Sequence, residues 1–184
     1  MTTVAVCDYG AGNVRSVLSA FRRLGASASA TSDPDAALAA DLAVLPGVGA
    51  AATAMAGLHE RNLDDALRER VRAGRPTLGI CLGLQLALDE SEEDGGVPGL
   101  GLLPGRAVRL REGRVPRMGW AEVESLGEAF YFAHSYAAET PAATATSEGV
   151  VAVAESGSFL GVQFHPEKSG APGARVLERC LSRA

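Results

Sequence analysis

Residues 76–85, Pro76-Thr77-Leu78-Gly79-Ile80-Cys81-Leu82-Gly83-Leu84-Gln85, carry an apolar run into a cysteine set between two glycines. Thr77 to Ile80 reads as a strand buried on both faces, and Leu82 to Leu88 reads as a helix. A G-x-nucleophile-x-G pattern between a strand and a helix is the context that makes it a nucleophile elbow. The tight turn needs neighbours without side-chain bulk and presents the sulfur at the carboxyl end of the sheet. There the first N–H groups of the helix favour a thiolate. The same five residues are equally satisfied by a buried, inert cysteine acting as a small hydrophobe. What the rest of the chain offers Cys81 as partners decides between the two.

Working outward, Thr3 to Cys7 is a short apolar strand, followed by a turn at Asp8-Tyr9-Gly10-Ala11-Gly12-Asn13. Val14, Val17, Leu18, Phe21 and Leu24 recur at helical spacing, with Gly25 placed to end the helix. Asp33-Pro34 opens a short helix as cap and first-turn pair. Leu42 to Leu45 is a second clear strand, ended by Pro46-Gly47-Val48-Gly49, and a helix runs through Leu63, Ala66, Leu67 and Val71 to Gly74. This alternation predicts a mostly parallel central sheet flanked by helices, an α/β fold. The C-terminal half changes character. Ala107 to Leu110, Ala121 to Glu124, Phe130 to Tyr136, Val150 to Ala154 and Phe159 to Phe164 are strand candidates with no long helix between them. Ser156-Gly157 suggests a hairpin, and Gly173 to Ser182 a closing helix. Antiparallel strands are therefore expected as late additions to one domain spanning residues 1–184.

Two further segments can serve the sulfur. In Gln163-Phe164-His165-Pro166-Glu167, His165 and Glu167 stand two apart and share a face if the backbone is extended. Glu167 then orients His165, whose other ring nitrogen meets Cys81, the logic of a catalytic triad. Pro166 keeps His165 out of the helical region. A surface turn with a Glu167–Lys168 ion pair fits these residues as well. Pro46-Gly47-Val48-Gly49 follows a strand of the same sheet, so its backbone reaches the same edge as the elbow. Glycines there let the peptide aim N–H groups at a developing oxyanion, with the Leu82 N–H as second donor. An ordinary strand-to-helix loop uses the same residues.

Composition narrows the classes. A net charge of −5 without a long basic cluster argues against nucleic acid. No run of 18 apolar residues and no basic-then-apolar N-terminus appear, so neither membrane span nor signal peptide is indicated. Cys7, Cys81 and Cys180 are too widely spaced for a disulfide framework or a CxxC metal pair, and a cytoplasmic location fits best. Asp8-Tyr9-Gly10-Ala11-Gly12 lacks the third glycine of a dinucleotide-binding loop, because Arg15 stands in its place.

The segments "LPGVG", "GICLGLQ", "FAHSY" and "GVQFHPEKSG", in this order and spacing, resemble the class I, triad-type glutamine amidotransferases. "CDYGAGNVRSV", "GVPGLGLLPGRAVRL" and "VPRMGW" narrow the resemblance to the glutaminase subunits of imidazole glycerol phosphate synthase, of histidine biosynthesis. It covers nearly the whole chain. It implies an enzyme that hydrolyses glutamine to glutamate and ammonia through a Cys81 thioester, without cofactor or metal. The ammonia would pass to a separate (β/α)8-barrel cyclase subunit. The resemblance implies Cys81 as nucleophile, His165 as general base and acid, and Glu167 as its orienting carboxylate. Val48, Gly49 and Leu82 fall at the oxyanion positions. Gln85, Glu93, Ser135 and Tyr136 match positions that hold glutamine, and Asn13, Trp120 and Tyr131 match the partner face.

The chain departs from the family pattern at Arg117, where histidine is common, at Ala121, where asparagine is usual, and at Leu84, a frequent methionine. The stretch between Trp120 and Phe130 is also short. Met118-Gly119-Trp120 is expected as a turn, and Trp120 and Tyr131 fit a core role as well as an interface role. Two other functions compete: the glutaminase of a vitamin B6 type synthase, against which "MGW" and "GNVRSV" argue, and a catalytically silent scaffold, which has no need of Cys81, His165 and Glu167 together.

Overall fold

The computed structural model describes all 184 residues. The first half alternates strand and helix: β1 (Thr3–Cys7), α1 (Val14–Arg23), β2 (Ser27–Thr31), α2 (Pro34–Ala39), β3 (Leu42–Leu45), α3 (Ala51–Glu60), α4 (Leu63–Arg72), β4 (Thr77–Ile80) and α5 (Leu82–Leu86). Short strands β5 (Glu90–Ser91) and β6 (Val97–Pro98) follow, then β7 (Arg106–Arg109), β8 (Arg117–Val123), β9 (Glu128–His134) and β10 (Tyr136–Glu139). The chain ends with β11 (Ala143–Ser147), β12 (Val150–Ser156), β13 (Phe159–Val162) and α6 (Gly170–Leu181). No helix is long and apolar enough to cross a membrane.

Seven strands form the main sheet in the order β11-β12-β13-β4-β3-β1-β2. β1, β2, β3, β4 and β13 run parallel, while β12 and β11 add antiparallel. The central strands are apolar on both faces because both are covered. Val4, Val6, Leu42, Val44, Leu78 and Ile80 pack with Val17 and Phe21 of α1, Leu177 of α6 and the Phe130, Phe132 and Phe164 rings. Cys7, Ala43 and Leu45 point the other way, onto Leu58, Leu63, Leu67, Leu82 and Leu86. The period of two within each strand thus divides one apolar run between two cores.

The expected α/β order with late antiparallel strands is the architecture found, with local corrections. β2 and β11 lie at the two sheet edges and α3 is built from small residues, so none of the three carries an apolar period strong enough to read. Met118-Gly119-Trp120 is not a turn. It lies within β8, whose register pairs Trp120 with Tyr131 and Gly119 with Phe132 in a two-stranded antiparallel ribbon. One face of that ribbon is open, and its alternation of exposed and half-buried residues replaces the apolar run that would have marked a strand. The single strand expected over Phe130 to Tyr136 breaks at Ser135. There the chain leaves the ribbon and enters the small sheet β10-β7-β5-β6.

Candidate active site

Cys81 sits between β4 and α5 with φ 52° and ψ −106°, a conformation that side chains with a Cβ rarely adopt. The neighbouring glycines show why it is enforced. A Cβ on Gly83 would lie 2.0 Å from the Leu45 carbonyl oxygen, and one on Gly79 would lie 2.7 Å from the Phe159 ring and 2.9 Å from the Gly83 backbone. The elbow packs so closely on β3 and β13 that only hydrogen fits at both positions. The Cys81 N–H donates to the Val162 carbonyl at 2.7 Å, tying the elbow to the end of β13. Cys7 and Cys180 differ: burial outweighs their nearby arginines and pushes both thiols up to about 12, which keeps them protonated and inert.

β13 leads to His165, the expected base. Val162 pairs with Ile80, and three residues later His165 is held in extended backbone, its N–H on the Tyr131 carbonyl at 2.8 Å and its carbonyl accepting from Ser169 Oγ at 2.6 Å. His165 Nδ1 meets Glu167 Oε1 at 2.9 Å, with the two side chains only 2% and 1% exposed. Glu167 reaches the ring from a 3-10 turn, Pro166–Lys168, and not along an extended strand as the i, i+2 spacing suggests. The proline starts this turn, because its fixed φ suits a first helical position. Lys168 lies over the Tyr131 ring, so Glu167 belongs to His165 and not to a surface ion pair. Asn13, expected on the partner face, donates from Nδ2 to Glu167 Oε1 at 3.3 Å and so also steadies the carboxylate.

Burial alone would lower the His165 pKa, but hydrogen bonds to Cys81 and Glu167 and their charges overcome it and raise it to about 9. The ring is therefore poised to hold a proton beside the Cys81 sulfur.

The loop after β3 closes the site. A Cβ on Gly47 would fall 2.5 Å from Leu82 Cβ, so this peptide lies directly against the elbow, and Gly49 takes φ +101°. The Tyr9 hydroxyl donates to the Pro46 carbonyl at 2.6 Å and fixes the start of the loop. Val48, Gly49 and Leu82 line a cavity of about 290 Å³ together with Cys81, Gln85, Glu93, Ser135 and Tyr136. The residues expected at the oxyanion and substrate positions, drawn from several elements, converge on this one concavity. Glu93 already accepts the Ala51 N–H at 2.7 Å through Oε2. A wider groove of about 720 Å³ lies beside Arg109 and Arg114 and holds no nucleophile.

Two residues of the site were not anticipated. Gln163 is fully buried, and its Nε2 lies 3.5 Å from Cys81 Sγ. Its signal was its place two residues before His165, in the segment that follows β13. His134 lines the cavity, with Nδ1 on the Tyr136 carbonyl at 2.8 Å and Nε2 buried without a partner. Burial, aided by Arg117 and His165, outweighs the hydrogen bond to Tyr136 and lowers its pKa to about 4 from 6.5. An unfolded chain binds this proton below pH 6.5 while the folded chain refuses it until about pH 4, so stability is lost as pH falls through that window. Thermal melting from pH 7 to 4.5 should show this loss, and His134→Asn should flatten it. An equally steep acid loss in the variant would remove His134 as its cause.

Comparison with known proteins identifies the family. The family model described as glutamine amidotransferase class-I matches residues 5–184. The imidazole glycerol phosphate synthase subunit HisH of Methanothermobacter thermautotrophicus is 47% identical over 190 residues, covering 95% of each chain. The subunit of the same name from Mycobacterium tuberculosis is 44% identical over 195 residues, again covering 95% of each. A crystal structure of a glutamine amidotransferase superposes with a TM-score of 0.82 at 24% identity, covering 98% of this chain and 97% of that one, which shows the shared fold. Similarity of this strength along almost the full length places the chain in the class-I glutamine amidotransferase family, among the HisH subunits of imidazole glycerol phosphate synthase.

Proposed function

We propose that the chain hydrolyses glutamine through Cys81, His165 and Glu167 and passes the ammonia to a (β/α)8-barrel cyclase partner, as the glutaminase half of imidazole glycerol phosphate synthase. The alignment of Cys81, His165 and Glu167 beside a cavity lined by Gln85, Glu93, Ser135 and Tyr136 carries this reading. The Cys81 thiolate adds to the side-chain amide carbon of glutamine. Backbone N–H groups at Val48, Gly49 and Leu82 serve the resulting oxyanion. His165 gives its proton to the departing nitrogen, ammonia leaves, and a γ-glutamyl thioester remains. His165 then takes a proton from water, hydroxide adds to the thioester, and glutamate leaves as the sulfur is released. A Glu93 carboxylate suits the substrate ammonium, and backbone donors near Ser135 and Tyr136 suit its carboxylate.

The partner reading rests on the rim of the site. Met118 and Trp120 are 66% and 59% exposed, and Met118 and Val48 border both the cavity and solvent. Trp120 stands edge-on to Tyr131, ring centroids 6.1 Å apart, so it is held in place without being buried in the core. An exposed, braced tryptophan beside a cavity mouth is the type of anchor that carries binding energy across an interface. Arg117, which replaces the usual histidine, turns away from this rim onto Ser147, Glu148 and the Phe132 ring.

The test is release of ammonia from glutamine by the purified chain, alone and with a histidine-pathway cyclase added. Turnover should be detected and should rise with the cyclase. Absence of turnover in both arms would remove the reading. Trp120→Ala should weaken cyclase binding by roughly 30-fold while melting as the wild type does. Unchanged affinity by titration calorimetry would place the docking face elsewhere.

A further inference from the structure

β13 and β4 end side by side, Val162 pairing with Ile80, and the residues that follow them are Gln163 and Cys81, with Gln163 Nε2 3.5 Å from the sulfur. Gln163 is completely buried, where an amide is retained only if its hydrogen bonds are met. Its Oε1 accepts from Gln85 Nε2 at 3.1 Å, and Gln85 Nε2 also donates to the Tyr136 carbonyl at 2.7 Å.

The direction of this chain is fixed by its far end. A backbone carbonyl only accepts, so the Tyr136 oxygen obliges Gln85 to face it with the amide nitrogen. That nitrogen, also 3.1 Å from Gln163, obliges Gln163 to answer with its oxygen. The Gln163 nitrogen is left pointing at Cys81 Sγ, 3.5 Å away. Flipping either amide would set donor against donor or acceptor against acceptor in a buried place. His134 Nδ1 reaches the same Tyr136 carbonyl and strengthens the anchor.

We propose that Gln163 is a further catalytic residue, whose amide N–H hydrogen-bonds the Cys81 sulfur in its thiolate form and is held in that direction by Gln85 and the Tyr136 carbonyl. A neutral donor aimed at sulfur favours the anion over the thiol, because hydrogen bonds to charged groups are the stronger ones. It also occupies one side of the sulfur, whose other polar neighbour is the Ala133 carbonyl at 3.7 Å. The nucleophile is thus served twice by the segment that follows β13: His165 takes its proton and Gln163 steadies what is left. The same polarity turns the Gln85 carbonyl oxygen away from the buried chain, free to accept from a substrate.

This proposal rests on Cys81 being the nucleophile, and its deciding test does not use glutamine. The full-length chain is treated with iodoacetamide at pH 7, and label on Cys81 is followed by mass spectrometry, with Cys81→Ser as the blank. Gln163→Met keeps length and volume but cannot donate. Its alkylation rate constant should fall about 3- to 10-fold, since loss of a donor to an anion lowers the thiolate fraction while a more basic thiolate reacts somewhat faster. In glutamine turnover kcat should fall about tenfold, the usual scale of one hydrogen bond to a charged group, with KM nearly unchanged. Looser packing alone would open the site and raise the alkylation rate. A folded Gln163→Met that alkylates at or above the wild-type rate overturns the proposal. Should Gln163→Met fail to fold, Gln85→Met decides: freeing the Gln163 amide to rotate should slow alkylation in the same direction, and a wild-type rate there overturns it. Failure of the glutaminase reading would instead appear as turnover surviving in Cys81→Ala.

Discussion

Cys81→Ala should abolish glutamine hydrolysis, with kcat falling on the order of 10⁴-fold or more, as expected when a nucleophile is removed. The two other cysteines cannot substitute, being buried in the cores with thiols held protonated. Alanine retains the Cβ, so the strained elbow at φ 52° is neither relieved nor worsened and the fold should persist. Ammonium salts supplied with the cyclase partner should still support synthase activity, because only the source of ammonia has been lost. Measuring glutamate formation and ammonium-dependent synthesis on the same preparation separates a lost nucleophile from a lost fold. Glutamine turnover near the wild-type rate would end the thioester mechanism.

Glu167→Gln should cost less than loss of the nucleophile, with kcat falling by up to about 10⁴-fold, the scale seen for the orienting carboxylate of other triads. In the native site one carboxylate oxygen receives both His165 Nδ1 and Asn13 Nδ2. An amide offers one acceptor oxygen without charge, and its NH₂ would take the buried place of Oε2, which has no partner. Glu167 is also one of the groups that lift His165 to about 9 against the pull of burial. Because the folded pKa lies above the unfolded value, the associated stability is fully present below about pH 6.5 and is lost as pH rises through about 9. In Glu167→Gln that alkaline loss should shrink, and the basic limb of the pH–rate profile should move to lower pH. A variant with native kcat and an unmoved profile would strip Glu167 of its role and leave a cysteine–histidine pair.

The elements nearest the chemistry were legible because each is written in a short local code. Thr77 to Ile80 with Gly79 and Gly83 specify the elbow: the strand period, the helix start and two hydrogens where a methyl would strike Leu45 or Phe159. The order of strands and helices through the first half follows from apolar runs alternating with helical periods, since a parallel sheet must be covered on both faces. His165-Pro166-Glu167 announced a histidine paired with a carboxylate, although the backbone that joins them is a 3-10 turn.

What the chain could not announce locally depends on neighbours far away in sequence. Edge strands β2 and β11 carry little apolar pattern because one of their sides is solvent, and pairing alone defines them. Trp120 reads equally as core or surface until the β8–β9 register sets it opposite Tyr131 on an open face. Arg70, fully buried, is intelligible only once folding surrounds its guanidinium with the carbonyls of Ala37, Ala40, Asp41 and Pro76. Asn13 joins Glu167 across 154 positions, and Gln163 meets Cys81 across 82. Local sequence determines what each segment is able to form. Which polar groups face one another, and in which direction each hydrogen bond runs, is decided by strand register, which only the tertiary structure supplies.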